Sequence, residues 1–289
     1  MNIKKFYLWA VLAVTATATL TSCEDILGHW EKPTPAVPAS AVVPEGIVKY
    51  MKWDAGQEKL VEAEVTEAEV TKVTDATTDA SWPEGTYLVD KDVAINGKIT
   101  GSGTVHLIIK DGCTLTVNGG IDFTTGDAKC LHIYGQSAMS GNLNVSTENV
   151  SAIYSLTSLD IHSCNVTVTG GTAYCVTSTD INVYGGKLEA GSTATNVRGI
   201  DLYYKTLHIW GGEVRAIGKG SSEYGISGNS SVILHGGKLY AADTDNRAIE
   251  SGITITKEDT FTGKIEYSSN GTEWSETKDT SAKYIRAGY

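Results

Sequence analysis

One phrase recurs five times between residues 131 and 241, and it constrains the fold more than anything else in the chain. It reads Leu131-His-Ile-Tyr134-Gly135, Leu159-Asp-Ile-His162-Ser163, Ile181-Asn-Val-Tyr184-Gly-Gly186, Leu207-His-Ile-Trp210-Gly-Gly212 and Val232-Ile-Leu-His235-Gly-Gly237. The middle apolar residues Ile133, Ile161, Val183, Ile209 and Leu234 are separated by steps of 28, 22, 26 and 25 residues. Repeats of that length, alternating apolar with polar and ending in glycine corners, stack as solenoid rungs around one shared core. In the last three copies an apolar-x-Ala tail follows: Leu188-Glu-Ala190, Val214-Arg-Ala216 and Leu239-Tyr-Ala241.

A second column supports rungs with at least two strands. Ile153, Cys175, Ile200, Ile226 and Ile249 recur at steps of 22, 25, 26 and 23, and the next phrase begins only six or seven residues on, as from Ile153 to Leu159 and from Ile226 to Val232. Tight corners between parallel strands imply an all-β, right-handed parallel β-helix with about 22–28 residues per rung. Asp111-Gly112 and Asn118-Gly-Gly120 supply turns. Residues 82–289 form the helix in this reading, with closing strands at Lys264-Ile-Glu-Tyr267 and Lys283-Tyr-Ile-Arg286. Residues 46–81 read as N-terminal cap strands: Val61, Ala63 and Val65 alternate with Glu62 and Glu64, and the phase slips at Thr66-Glu67.

The remaining N-terminal residues read as targeting and tether. Lys4 and Lys5 precede an apolar stretch from Phe6 to Leu20, which Thr21-Ser22-Cys23 closes. It is too short and too rich in threonine for a permanent membrane span. Leu20-Thr-Ser-Cys23 resembles the lipobox of bacterial lipoproteins. That resemblance implies a signal peptide over 1–22, lipidation of Cys23 and an outer-membrane, surface-exposed location. Residues 23–45 carry Pro33, Pro35, Pro38 and Pro44 and read as an extended tether. The net charge of −11 excludes nucleic acid as a partner, because phosphate binding needs clustered Lys and Arg.

Trp82-Pro-Glu-Gly-Thr-Tyr-Leu-Val89, Gly97-Lys-Ile-Thr100, Val105-His-Leu-Ile-Ile-Lys-Asp-Gly-Cys-Thr-Leu115 and Leu131-His-Ile-Tyr-Gly-Gln136, with the later Gly-Gly-Lys-Leu and Gly-Gly-Glu-Val phrases, resemble the β-helical "carbohydrate-binding domain" lipoproteins common in gut Bacteroidetes. The resemblance covers Trp82 to Tyr289. It implies the β-helix and a polysaccharide or glycan partner, with some β-helical relatives being polysaccharide lyases. No site motif carries over residue by residue.

The phrase's own alternation supplies candidate binding residues. Its fourth position, pointing out of the helix, holds Tyr134, His162, Tyr184, Trp210 and His235; the second holds His132, Asp160, Asn182 and His208. Rungs stack ~4.8 Å apart, close to one sugar ring. Aromatic faces beside hydrogen-bonding groups suit sugars, and stacked side chains equally serve as a stiffening ladder. The expected function is therefore a surface-anchored, non-catalytic polysaccharide-binding protein. A protein-binding adhesin and a lyase-like enzyme are the alternatives.

A lyase would need carboxylates for calcium and a basic group. Asp201 with Arg198 and Lys205, or Asp243 and Asp245 with Arg247, are the candidates, although Asp in such corners is ordinarily turn chemistry. Apart from calcium in that case, no cofactor is called for, and no His/Cys/Asp spacing typical of zinc recurs. Glu189 and Arg215 read as a cross-strand pair. Cys113, Cys130, Cys164 and Cys175 allow three disulfide pairings, with Cys175 reading as a buried free thiol.

Overall fold

The computed structural model describes residues 46–289 apart from 125–129, 150, 193 and 204. The targeting stretch, Cys23 and the tether lie outside the described residues. The described chain is all-β, and its parallel strands stack as a β-solenoid of about seven turns.

Each full turn has three flanks, one more than the two columns alone require. The rung around Ile181 shows how. Tyr174–Val183 runs through two flanks in one strand, then Lys187–Gly191 forms the third. Between that strand and Ser151–Ile161 on the preceding rung the register shifts at Ser155/Ser158, which marks the corner. The third flank is built from the apolar-x-Ala tails: Leu188, Val214 and Leu239 stand in register, as do Ala190, Ala216 and Ala241. All six are fully buried, as are Ile133, Ile161, Val183, Ile209 and Leu234. Three inward rows thus meet in one continuous core.

One column needs correction. Ile153 pairs with Val176, not Cys175, and Val176 continues to Ile200, Ile226 and Ile249. Both Cys175 and Val176 are fully buried at this corner, so burial alone does not reveal which one carries the register. Cys175 is a buried free thiol, and the other three described cysteines are free as well.

Two glycine positions show why the phrase ends as it does. Gly186, Gly212 and Gly237 share the left-handed φ of 66°, 66° and 65° at the turn into the third flank. A Cβ on Gly212 would stand 2.5 Å from the carbonyl oxygen of Gly186, and one on Gly237 2.6 Å from that of Gly212. The corners therefore stack glycine on glycine at a distance no side chain tolerates.

The N-terminal residues divide into two parts. Strands β1 (Ile47–Asp54) and β2 (Lys59–Thr66) form an antiparallel hairpin. A 3-10 turn at Glu67–Glu69, with Thr66 N–H and Oγ1 both donating to Glu69 Oε2, occupies the place of the expected phase slip. Thr71–Lys72 and Ala80–Trp82 then lay down the first, partial turn by pairing with Gly85–Val89 and Ile99–Gly101. The hairpin lies along a flank of the solenoid, not over its end. At the other terminus Tyr284–Ala287 pairs antiparallel with Lys238–Asp243 and with Ile265–Ser268, closing the third flank.

Candidate functional site

The phrase's fourth position forms a continuous ladder of rings. Tyr134 stacks on His162 with centroids 4.4 Å apart, and His162 on Tyr184 at 4.9 Å. Tyr184 and Trp210 are 6.2 Å apart, and Trp210 and His235 stack at 3.5 Å. The second position runs beside it. His132 stacks on His106 at 4.9 Å, and its Nδ1 lies 3.0 Å from Asp160 Oδ2, out of line for a hydrogen bond. Asn182 Nδ2 donates to Asp160 Oδ1 at 2.8 Å. His208 Nδ1 and His235 Nε2 are hydrogen-bonded across the columns at 3.2 Å.

Pointing out of the solenoid does not leave these groups open, because the hairpin roofs the ladder. Tyr50 packs edge-on against Tyr134 at 4.9 Å, and Trp53 stacks on Tyr184 at 5.0 Å and leans on Trp210 at 5.3 Å. Three extended residues span ~10 Å, which equals two rung spacings of ~4.8 Å. The strand therefore crosses the rungs with a ring over every second step. Backbone groups fix it there: Met51 N–H donates to Gly135 O at 3.0 Å and Gln136 Nε2 donates to Lys49 O at 2.9 Å. Tyr134 and His162 keep only 6 % and 7 % of their exposure, and Asp160 8 %. Trp210, Tyr184, His235, His132, Asn182 and His208 remain half-buried.

His162 shows what the roof does chemically. Its Nδ1 accepts the Trp53 N–H at 2.9 Å, so Nδ1 is the bare nitrogen and the proton sits on Nε2. Burial pushes its pKa down to about 3 despite the nearby Asp160. His208 and His235 are lowered as well, first by burial. For Asp160, burial works upward, but His132 and Asn182 outweigh it and hold the carboxyl below its usual range. The ladder seats the hairpin on stacked rings, with His162 held neutral and one carboxylate, Asp160, kept ionised among them. The apolar start of the same column, Leu88 and Ile108, joins Val48 and Tyr134 in a second small core beneath it.

A different flank is open. Asp122, Tyr154, Thr177 and Asp201 follow one another in register, and Ser227 and then Glu250 continue the row. Thr177 and Ser227 are small and buried within the row, and Tyr174 and Tyr203 lie beside it. A polar cleft of about 520 Å³ opens there, bounded by Tyr174, Asp201, Tyr203, Asn229 and Glu250. Tyr203 is 51 % exposed. Ser227 Oγ donates to Asp201 Oδ1 at 2.9 Å, and Gly228 N–H donates to Glu250 Oε2 at 2.8 Å. Burial pushes the Asp201 carboxyl above its usual range, and Glu250 adds to the effect.

The lyase candidates separate in the structure. Arg198 Nε binds Glu223 at 2.6 Å, and its guanidinium lies 5.4 Å from the Tyr174 ring centre. Lys205 pairs with Asp180 at 3.1 Å. Asp243 is fully buried and caps its own turn, with Oδ1 accepting from Asp245 N and Asn246 N. Arg247 lies over Tyr224. Glu189 and Arg215 form the cross-strand pair at 3.5 Å. Among the described residues, no group of three or more His, Cys, Asp or Glu is placed to hold a metal ion, and no helix is long and apolar enough to cross a membrane.

Of the residues around the open cleft, the sequence singled out Asp201, and beside it Arg198. Tyr174, Tyr203, Asn229 and Glu250 were missed, although Tyr174 and Glu250 directly flank residues of the recurring second column. Comparison of the chain with family models, with curated proteins and with solved structures found no match.

Proposed function

We propose that this chain is a glycan-binding β-solenoid, held at a bacterial outer surface by lipidated Cys23, and that it binds sugar in the open cleft rather than on the roofed ladder. The observation that carries this reading is the cleft itself, where the Tyr174 and Tyr203 rings stand beside Asp201, Asn229 and Glu250. Sugars offer C–H faces to aromatic rings and hydroxyl edges to carboxylates and amides, and a concave site with a few convergent polar groups is the usual form of a small-ligand site. The ladder has the same residue chemistry, but the hairpin already occupies its central faces.

The solenoid is compatible with either a binding protein or a lyase-like enzyme. The non-catalytic reading is favoured by the engagement of Arg198 with Glu223 and of Lys205 with Asp180, since neither base points free into the cleft. Migration through gels containing soluble polysaccharides tests the proposal. Retardation by at least one polysaccharide, lost in Asn229→Ala, is expected. Release of unsaturated, ultraviolet-absorbing products would replace it with the lyase reading, and retention only by proteins with the adhesin reading. For the anchor, Cys23→Ser should move the chain from membranes to the soluble fraction, and continued acylation would refute that part.

A further inference from the structure

The open cleft has a companion on the same flank. A second cleft of about 240 Å³ lies toward the N-terminal rungs, bounded by Lys98, Gly120, Asp122, Asn149 and Tyr154. The two are linked by the in-register row described above. From Asp122 through Tyr154, Thr177, Asp201 and Ser227 to Glu250 there are five rung steps, or ~24 Å along the solenoid axis. Tyr154 is the joint: it borders the smaller cleft, and it lies within electrostatic reach of Asp122 on one side and of Tyr174, Asp201 and Tyr203 on the other.

The charges on this row are unequal. Lys98 is matched to Asp122 at 3.3 Å and Arg198 to Glu223 at 2.6 Å, so both of these cations already have carboxylate partners. Asp201 and Glu250 bound the larger cleft as carboxyls that form no ion pair among the described residues, the nearby Arg198 being paired with Glu223. A carboxylated sugar entering there would meet like charge in a partly desolvated site, which is a strong means of rejection.

We propose that a linear glycan of about five units, uncharged or carrying amino groups but not uronic acids, lies along the solenoid axis across both clefts, at roughly one sugar per rung. The proposal rests on the glycan-binding reading and adds to it a direction, a length and a charge. A chain lying across the axis, around one rung, would use a single cleft and gain nothing from Tyr154. A chain lying along it gains a contact at each rung until both clefts are filled.

The test is a glycan array probed with the full chain and printed with length series, dimers to octamers, of neutral, amino and uronate oligosaccharides. Affinity should rise with length and level off near the pentamer within the neutral or amino series, with uronates bound at least about tenfold more weakly. Tyr154→Ala should reduce pentamer affinity by about fivefold or more and dimer affinity by a clearly smaller factor, because only the longer chain spans the joint. Tyr154→Phe, which keeps the ring, should retain most of the pentamer affinity and controls for folding. Affinity that is already maximal at the dimer, or that is unaffected by Tyr154→Ala in a folded protein, would overturn the axial arrangement. Preference for uronates would overturn the charge assignment while leaving glycan binding intact. Binding to no glycan would remove this inference together with the reading beneath it.

Discussion

Two flanks of this solenoid carry rows of aromatic and polar side chains pointing away from the core, and only one of them is open. On the ladder flank, rings at Tyr134, His162, Tyr184, Trp210 and His235 stack rung upon rung, and Tyr50 and Trp53 of the hairpin close over them. On the other flank, Tyr154 borders one cleft and Tyr174 and Tyr203 another. The difference lies in continuity. A close-packed ring ladder is a flat apolar surface, large enough that leaving it in water is costly, and a short strand whose rings match the rung spacing satisfies it. An interrupted row leaves hollows, and hollows accept ligands.

The sharpest contrast is between inside and outside on the ladder strand. Ile209 is fully buried within the solenoid, and Ile209→Ala should destabilise the protein by ~2–5 kcal/mol through lost burial and a cavity, measured by denaturant unfolding. If Ile209→Ala costs less than ~1 kcal/mol, the core does not run where the alternation places it.

Next in size is the roof. Trp53→Ala should release the hairpin from the ladder at a cost of roughly 2–4 kcal/mol, and hydrogen exchange should show it locally: the amides of Met51 and Trp53 lose protection while those of the rungs keep theirs. Uniform loss of protection would mean that the hairpin is part of one cooperative unit with the solenoid. Unchanged protection would mean that Trp53 does not hold the roof.

Acid should act in the same place. His162 is held neutral, with a pKa near 3 against an ordinary 6.5. A histidine lowered in this way contributes full stability above pH 6.5 and loses it as the pH falls toward 3, because the released form takes the proton more readily. The expected slope is roughly 1.4 kcal/mol per pH unit for one proton. Hairpin protection factors, taken relative to the intrinsic exchange rate at each pH, should therefore fall below pH 6.5 in the native chain, and the fall should flatten in His162→Gln. A pH-independent roof would contradict the burial of that ring.

The parts of this structure that could be read from the sequence are those that repeat. The inward positions of the phrase and the glycine corners follow from period-two alternation and fixed spacing, which local sterics enforce at every rung. The choice of Val176 over Cys175 did not follow, because both residues are buried at a corner where one strand turns between flanks. The roof did not follow either. Trp53 and Tyr184 meet across the whole N-terminal part of the solenoid, and nothing periodic connects them. One signal was present: Leu88 and Ile108 hold apolar side chains at the outward position of the first rungs, and outward apolar residues in register need a cover. The clefts were hardest to see, since their walls come from turns such as Tyr203 and Asn229 that no repeat marks.

Stability effects on the open flank should be the smallest. Tyr203 is half-exposed, and Tyr203→Ala should change unfolding free energy by no more than about 0.5 kcal/mol. That small effect makes the most direct test possible. Melting temperature and affinity for whichever glycan the chain retains should be measured side by side for Tyr203→Ala on the open flank and Trp210→Ala on the ladder. The division of labour between the flanks predicts a crossing: Tyr203→Ala loses glycan binding at an unchanged melting temperature, and Trp210→Ala lowers the melting temperature at an unchanged affinity. The opposite crossing, with binding lost from Trp210→Ala and kept in Tyr203→Ala, would put the sugar on the ladder and contradict the assignment.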